Sequence, residues 1–345
     1  MTIGREERVA VFGATGHTGR FVVAELRRRG FVPVAVARDG AKLEASGFGG
    51  QGVATRTASI DDPASLDRAF AGTAAVVNCA GPFLDTADAV AAAALRAGIH
   101  YLDVTAEQPS ALATMETFDE PARAAGLVFV PAMGFYGGLA DLLATAAMGT
   151  WDAADEIRVG IALDSWHPTE GTRITGRRNT SRRMVVAEGR LAPLPQPAPE
   201  VSWGFPEPFG RQDMTELPFS EVVLIARHLR VTELHTYLNH RALRDIRDGA
   251  TPPPEAADGS GRSAQTFVVD VMVRRQGDIR RATARGRDIY AVTAPLACEA
   301  LRRILDGEVR RRGAQPPGAA FDARSFLQAL SPDDLTLEIS GEITG

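Results

Sequence analysis

The chain is short of the residues that build disulfide scaffolds, metal centres and membrane spans. It has two cysteines in 345 residues. Cys79 and Cys298 lie far apart in apolar surroundings, so a reducing compartment and no disulfide framework are expected. Lys42 is the only lysine, the arginines are spread along the chain, and the net charge is -5. Without a concentrated basic face, a nucleic-acid partner is not expected. Clusters such as Arg27-Arg28-Arg29 and Arg310-Arg311-Arg312 read as solvated faces. His17, His100, His167, His228, His235 and His240 show no ligand spacing with cysteine or carboxylate, so no metal site is expected. A Gly-x-Ser-x-Gly nucleophile elbow is also missing. No run reaches bilayer length without charges or helix breakers, and no apolar secretory segment precedes the first strand. These absences together predict a cytoplasmic protein without a membrane anchor.

What is present begins with Val9-Ala-Val-Phe-Gly13-Ala-Thr15-Gly16-His17-Thr18-Gly19-Arg20, an apolar strand turning through three glycines into the amphipathic stretch Phe21 to Arg29. Strand, glycine turn and helix in that order suit a dinucleotide pyrophosphate, because the turn admits close approach and the helix N-terminus offers N–H groups and a favourable dipole. Gly13 permits the turn, Gly16 leaves room for phosphates, and Gly19 allows the helix to pack on the strand. The next strand, Phe31 to Ala37, ends in Arg38, with Asp39 and Lys42 behind it. A carboxylate there would bond a ribose diol, whereas arginine opposes a 2′-phosphate. Arg38 continues the strand and Lys42 adds a second cation, which favours NADP(H); Asp39 is equally suited to opening the following helix.

Val53 to Ala58 reads as a third strand, before a helix from Pro63 to Phe70. Asp61 and Asp62 there either meet the adenine edge or cap that helix. Ala74 to Ala80 is almost wholly apolar, as a parallel strand covered on both faces should be. Its end, Asn78-Cys79-Ala80-Gly81-Pro82-Phe83, belongs at the carboxyl rim of the sheet, where ligands bind. Phe83 either covers the nicotinamide or closes the helix Asp85 to Ala97 on the sheet. In Ile99 to Glu107, two-residue periodicity puts Tyr101 and Asp103 on one side of a strand, with Glu107 at its far end. Glu107 either faces the site or supports the next helix. After a strand from Leu127 to Ala132, the turn Met133 to Gly138 carries Tyr136 where it could face the nicotinamide.

These fragments resemble the saccharopine dehydrogenase-like oxidoreductases. The likeness is carried by Gly13-Ala-Thr-Gly16-His-Thr-Gly19-Arg20 with Arg38, by Asn78-Cys-Ala-Gly81-Pro82-Phe83, by Tyr101-Leu-Asp103-Val-Thr-Ala-Glu107, and more loosely by Ala284 to Ala294. The resemblance implies an NADP(H)-binding Rossmann domain followed by an α+β domain that supplies part of the substrate crevice. Asn78, Gly81 and Pro82 match the family's loop past the cofactor phosphates and ribose, and Tyr101 and Asp103 match its strand beside the nicotinamide. The family spans several reactions, so the resemblance specifies cofactor better than substrate.

Asp155 to Leu163 alternates as a half-buried strand and leads to Trp166, His167 and Arg173, candidates for the substrate pocket; His167-Pro168 also suits a plain turn. Leu191 to Pro199 is an extended connection, and 266–274 with 278–287 form a hairpin. The expected fold class is α/β: a Rossmann domain at 1–135, an α+β domain on a mainly antiparallel sheet at 136–290, and a helical return at 291–345 packing on the Rossmann half. The expected activity is NADPH-dependent reduction of a C=C, C=O or C=N bond in a small organic substrate, with Tyr136 or His167 as proton donor. The alternative is a catalytically silent NADP(H)-binding sensor. A homodimer is expected through the outer face of the second sheet.

Overall fold

A computed structural model describes residues 7–340; the outermost parts of the first and last expected segments, 1–6 and 341–345, lie outside the described residues. The first domain alternates strand and helix: β1 (Arg8–Phe12), α1 (His17–Arg28), β2 (Val32–Ala37), α2 (Gly40–Ala45), β3 (Ala54–Thr57), α3 (Pro63–Phe70), β4 (Ala75–Asn78), α4 (Phe83–Ala97), β5 (His100–Asp103), α5 (Gln108–Ala124), β6 (Val128–Val130) and α6 (Ala140–Met148). The apolar runs at β1 and β4 are central strands buried on both faces, as parallel strands between helical layers must be. α1 starts four residues earlier than its apolar periodicity suggests, because Gly16 turns the chain directly into the helix.

The second domain runs through β7 (Ala153–Leu163), α7 (Glu170–Arg178), β8 (Met184–Ala187), β9 (Arg190–Pro193), β10 (Glu200–Gly204), β11 (Arg211–Glu216), α8 (Glu221–His228), β12 (Arg230–Asn239), α9 (His240–Arg247), β13 (Thr266–Arg275) and β14 (Asp278–Arg287). The return comprises α10 (Thr293–Leu305), β15 (Gly313–Ala314), α11 (Pro317–Ala320), α12 (Ala323–Gln328) and β16 (Thr336–Ser340). Parallel strands in the order β15-β6-β5-β4-β1-β2-β3 make the first sheet. From β1 the chain winds to β2 and β3, then resumes at β4 on the other side. The carboxyl ends of β1 and β4 therefore flank the switch point where such sheets hold ligands.

The second sheet is mainly antiparallel, in the order β10-β11-β12-β7-β13-β14-β16, with β7 and β12 parallel. Its inner face packs Ile157, Val159, Ile161, Val269 and Val271 into a core shared with α6 and α10. The return is more than a helical appendage. α10 packs on α1, tied by Arg29 to Glu299 at 2.8 Å, while β15 extends the first sheet and β16 pairs with β14 in the second. The outer face of the second sheet, the surface through which a homodimer is expected, is mixed in character. It carries ion pairs, Arg158–Glu156 at 2.6 Å and Arg281–Asp270 at 2.5 Å, beside a small patch under Trp203. The described residues contain no helix long and apolar enough to cross a membrane.

Candidate active site

The loop after β1 and the loop after β4 touch. A Cβ on Gly13, whose φ is +82°, would sit 2.8 Å from the backbone nitrogen of Ala80, and one on Gly19 would sit 2.3 Å from the carbonyl oxygen of Gly13. Gly16 is more open, with a Cβ position 3.2 Å from Gly13 O. Two helices point their N-termini at this rim, and they differ. Glu107 Oε1 accepts from Phe83 N at 2.8 Å and Oε2 from Leu84 N at 3.4 Å, so the start of α4 already holds a carboxylate from the chain. The start of α1 has no side-chain cap, and among the described residues the N–H groups of His17, Thr18 and Gly19 meet no acceptor. An anion is therefore attracted to α1. Glu107 thus supports α4 rather than the α5 helix that follows it, and its burial raises its pKa.

A cleft of about 770 Å³ opens from this loop toward the second domain. Gly13, Thr15, Gly16, His17, Thr18, Cys79, Ala80, Gly81, Phe83, Glu107, Tyr136 and Trp166, all singled out from the sequence, line it together. Burial pushes the Cys79 thiol up to about 12, so it is neutral. His17 Nε2 is buried without a partner, and its ring meets Phe21 and Tyr290 edge-on at 5.3 and 5.4 Å. Desolvation lowers the His17 pKa, so its imidazole is neutral near pH 7.

Tyr136 sits at a kink ahead of α6, where Gly137 takes φ +99°. Its ring packs on Phe219 at 4.2 Å and on Trp166 at 5.3 Å between centroids. The Tyr136 hydroxyl is buried and has no partner, and desolvation raises its pKa well above the usual phenol value. A buried hydroxyl without a partner costs stability unless a ligand or water completes it.

Several sequence candidates stand elsewhere. Tyr101 and Asp103 are fully buried under the site: Tyr101 Oη donates to Asp103 Oδ2 at 2.8 Å, and Asp103 Oδ1 accepts from Ala132 N at 2.8 Å and Thr105 N at 3.0 Å. They brace the turn that carries Tyr136 instead of touching a ligand. Gly19 is buried in the helix–strand contact, and Pro82 opens α4 just behind the lining. Arg38 and Lys42 are exposed beyond the carboxyl end of β2, outside the cleft lining, and Asp39 is occupied as the cap of α2, accepting from Lys42 N at 3.1 Å. Asp61 is exposed and accepts from Ser59 Oγ at 3.2 Å, while the neighbouring Asp62 caps α3.

His167 lines a separate cavity of about 320 Å³ behind Trp166 and Tyr290. Hydrogen bonds tie the partition together: Trp166 Nε1 donates to Tyr290 Oη at 3.1 Å, and Thr169 N donates to it at 3.3 Å. Arg173 turns away to the carbonyls of Thr251 and Asp248, at 2.7 and 3.3 Å, so it pins that loop rather than the cleft. The main cleft instead gains Arg183, Phe219, Thr293 and Tyr290. No local pattern marks the first two; Tyr290 lies in the segment Ala284 to Ala294 that carries the looser part of the resemblance.

Among the described residues, no group of His, Cys, Asp and Glu could hold a metal ion. Residues 9–130 match the family model described as the saccharopine dehydrogenase NADP binding domain. The chain is 32% identical over 143 residues to a probable mitochondrial saccharopine dehydrogenase-like oxidoreductase of Arabidopsis thaliana, a match spanning 37% of this chain and 31% of that protein. Its fold is similar to apo saccharopine dehydrogenase (L-Glu forming) of Saccharomyces cerevisiae, with a TM-score of 0.66 at 12% identity, covering 97% of this chain and 100% of that one. At that identity the likeness is one of fold. The open glycine cradle, the uncapped α1 and the family match over the same residues agree: residues 9–130 match the saccharopine dehydrogenase NADP binding domain, and the N-terminal domain is an NADP(H)-binding domain.

Proposed function

We propose that the protein is an NADPH-dependent reductase that delivers a hydride to a C=C, C=O or C=N bond of a small or medium organic substrate held in the cleft. One observation carries the reading: the uncapped start of α1 and Tyr136, whose hydroxyl is buried without a partner, line the same cavity. The backbone from Gly13 to Gly19 would cradle the pyrophosphate, with the first N–H groups of α1 aimed at it. Arg38, exposed and without an ion-pair partner among the described residues, would meet the 2′-phosphate. Asp39 is committed to its own helix and competes little for a ribose diol. When bound, NADPH supplies the hydride.

The chain's own part is orientation, exclusion of water and hydrogen bonding. Phe219 and Trp166 flank the Tyr136 ring and keep water from it. Because burial holds Tyr136 Oη protonated, it donates a hydrogen bond to the substrate heteroatom, where negative charge develops as hydride arrives at carbon. His167 is a poor alternative donor, since Trp166 and Tyr290 stand between it and the cleft. Incubating the purified protein with NADPH and panels of enones, ketones and imines tests the proposal through absorbance loss and product analysis. Nucleotide oxidation coupled to one class supports it. Tight NADPH binding with no turnover across all three panels would favour the silent sensor.

A further inference from the structure

Arg183 is a cation placed inside the cleft and left without a counter-ion. Its Nη1 donates to the carbonyl of Pro218 at 2.5 Å, and its guanidinium carbon lies 5.0 Å from the centroid of the Phe219 ring. No other hydrogen bond and no ion pair engages it among the described residues, so its Nε–Nη2 edge remains available. The Glu221 carboxylate acts on Arg183 electrostatically, but no ion pair joins them: Glu221 Oε1 accepts from Phe219 N at 2.8 Å and Oε2 has no partner. Holding a desolvated guanidinium beside an apolar wall is costly unless an anion completes it. The stem of Arg183 is fixed because its backbone lies next to β8, where its carbonyl accepts from Leu194 N at 2.8 Å.

The available edge matches a carboxylate. A planar guanidinium with two parallel N–H donors pairs with two carboxylate oxygens at once, and one such cation neutralises a monoanion. Around it, Phe219, Tyr136 and Trp166 form a wall of rings with centroids 4.2 to 6.4 Å apart, which suits a flat apolar body. We infer that Arg183 is the anion-binding residue of the substrate subsite, and that the substrate is a flat, unsaturated monocarboxylic acid whose carboxylate pairs with the Nε–Nη2 edge while its body lies against Phe219 and Tyr136. This assignment rests on reading the cleft as the reductase site.

The test is calorimetric binding of trans-cinnamate and 2-naphthoate, each against its neutral amide, to the protein with and without saturating NADPH. At least one acid is expected to bind at least about tenfold more tightly than its amide. In Arg183→Met that preference disappears through loss of acid binding, in Arg183→Lys part of it survives, and the NADPH affinity of both variants stays at the wild-type value. Equal affinity for acid and amide in the wild type overturns the inference without needing a variant. So does failure of both acids to bind up to about 10 mM, or an acid preference that persists in a folded Arg183→Met protein. A wild-type protein that prefers the acids but binds no NADPH would sink the reductase reading and leave the anion subsite standing.

Discussion

Replacing single glycines of the first loop separates what the fold needs from what the nucleotide needs. In Gly13→Ala the new methyl lies 2.8 to 2.9 Å from the nitrogen, Cα and Cβ of Ala80, and the residue keeps φ +82°. Neither problem can be relieved by rotating a side chain. A left-handed backbone costs an alanine about 1–2 kcal/mol, and forcing a methyl against packed backbone costs about 1–3 kcal/mol. The sum, about 2–5 kcal/mol, should lower Tm by about 4–20 °C, at roughly 2–4 °C per kcal/mol for a domain of 150–250 residues. Gly16→Ala is different. Gly16 has φ -71° in extended backbone, and its added methyl meets only Gly13 O at 3.2 Å. Its Tm should stay close to wild type, while NADPH affinity falls about tenfold because the methyl occupies space needed by phosphate. Differential scanning calorimetry and nucleotide fluorescence titration on the two variants measure both effects. A Gly13→Ala protein with wild-type Tm, or a Gly16→Ala protein whose Tm falls while its NADPH affinity holds, would refute the reasoning.

Tyr136→Phe should leave NADPH affinity nearly unchanged and lower turnover roughly 10²-fold where hydride transfer limits the rate; unchanged turnover removes Tyr136 from the mechanism. Arg38→Ala should weaken NADPH binding and leave NADH binding almost as it was, measured by parallel titrations; equal losses for both would show that Arg38 does not meet the 2′-phosphate. His235 Nδ1 lies 2.7 Å from Glu216 Oε1, and that bond raises the His235 pKa above 6.5. Its contribution to stability is therefore complete below about pH 6.5 and lost as pH climbs through the raised value. Thermal melts from pH 6 to pH 9 should show a decline attributable to this group, flattened in His235→Asn; an identical decline in the variant contradicts the assignment.

The Rossmann half was legible because each of its signals is local. A glycine turn between an apolar strand and a helix, and short apolar strands ending in polar rims, are written in consecutive residues from Val9 to Asn78. The same reasoning placed Tyr136 at a turn, and the turn does open on the cleft. It could not separate the residues around it. Tyr101 and Asp103 alternate with the right period, but the face they share points into the core beneath the site, a choice set by how α5 and β6 pack on β5. Arg173 and Arg183 sit in one polar run and look alike in sequence. Arg173, within α7, reaches the 248–251 loop, whereas Arg183, past the end of that helix, lines the cleft. Phe219 becomes a wall of the site only because the segment before α8 folds against the turn of Tyr136. Its position is a property of the second sheet's path, for which no local pattern stands in. The sequence of the return reads as helical, since β15 and β16 are short and gain their strand character from the sheet edges they join.

The central claim is that the α1 loop and the adjoining cleft hold NADPH. Titrating the purified protein with NADPH and with NADH, each followed by the emission of the reduced nucleotide, tests it most directly. The account predicts saturable binding of one NADPH per chain, tighter than that of NADH. Absence of saturable NADPH binding, or equal or tighter binding of NADH, would contradict it.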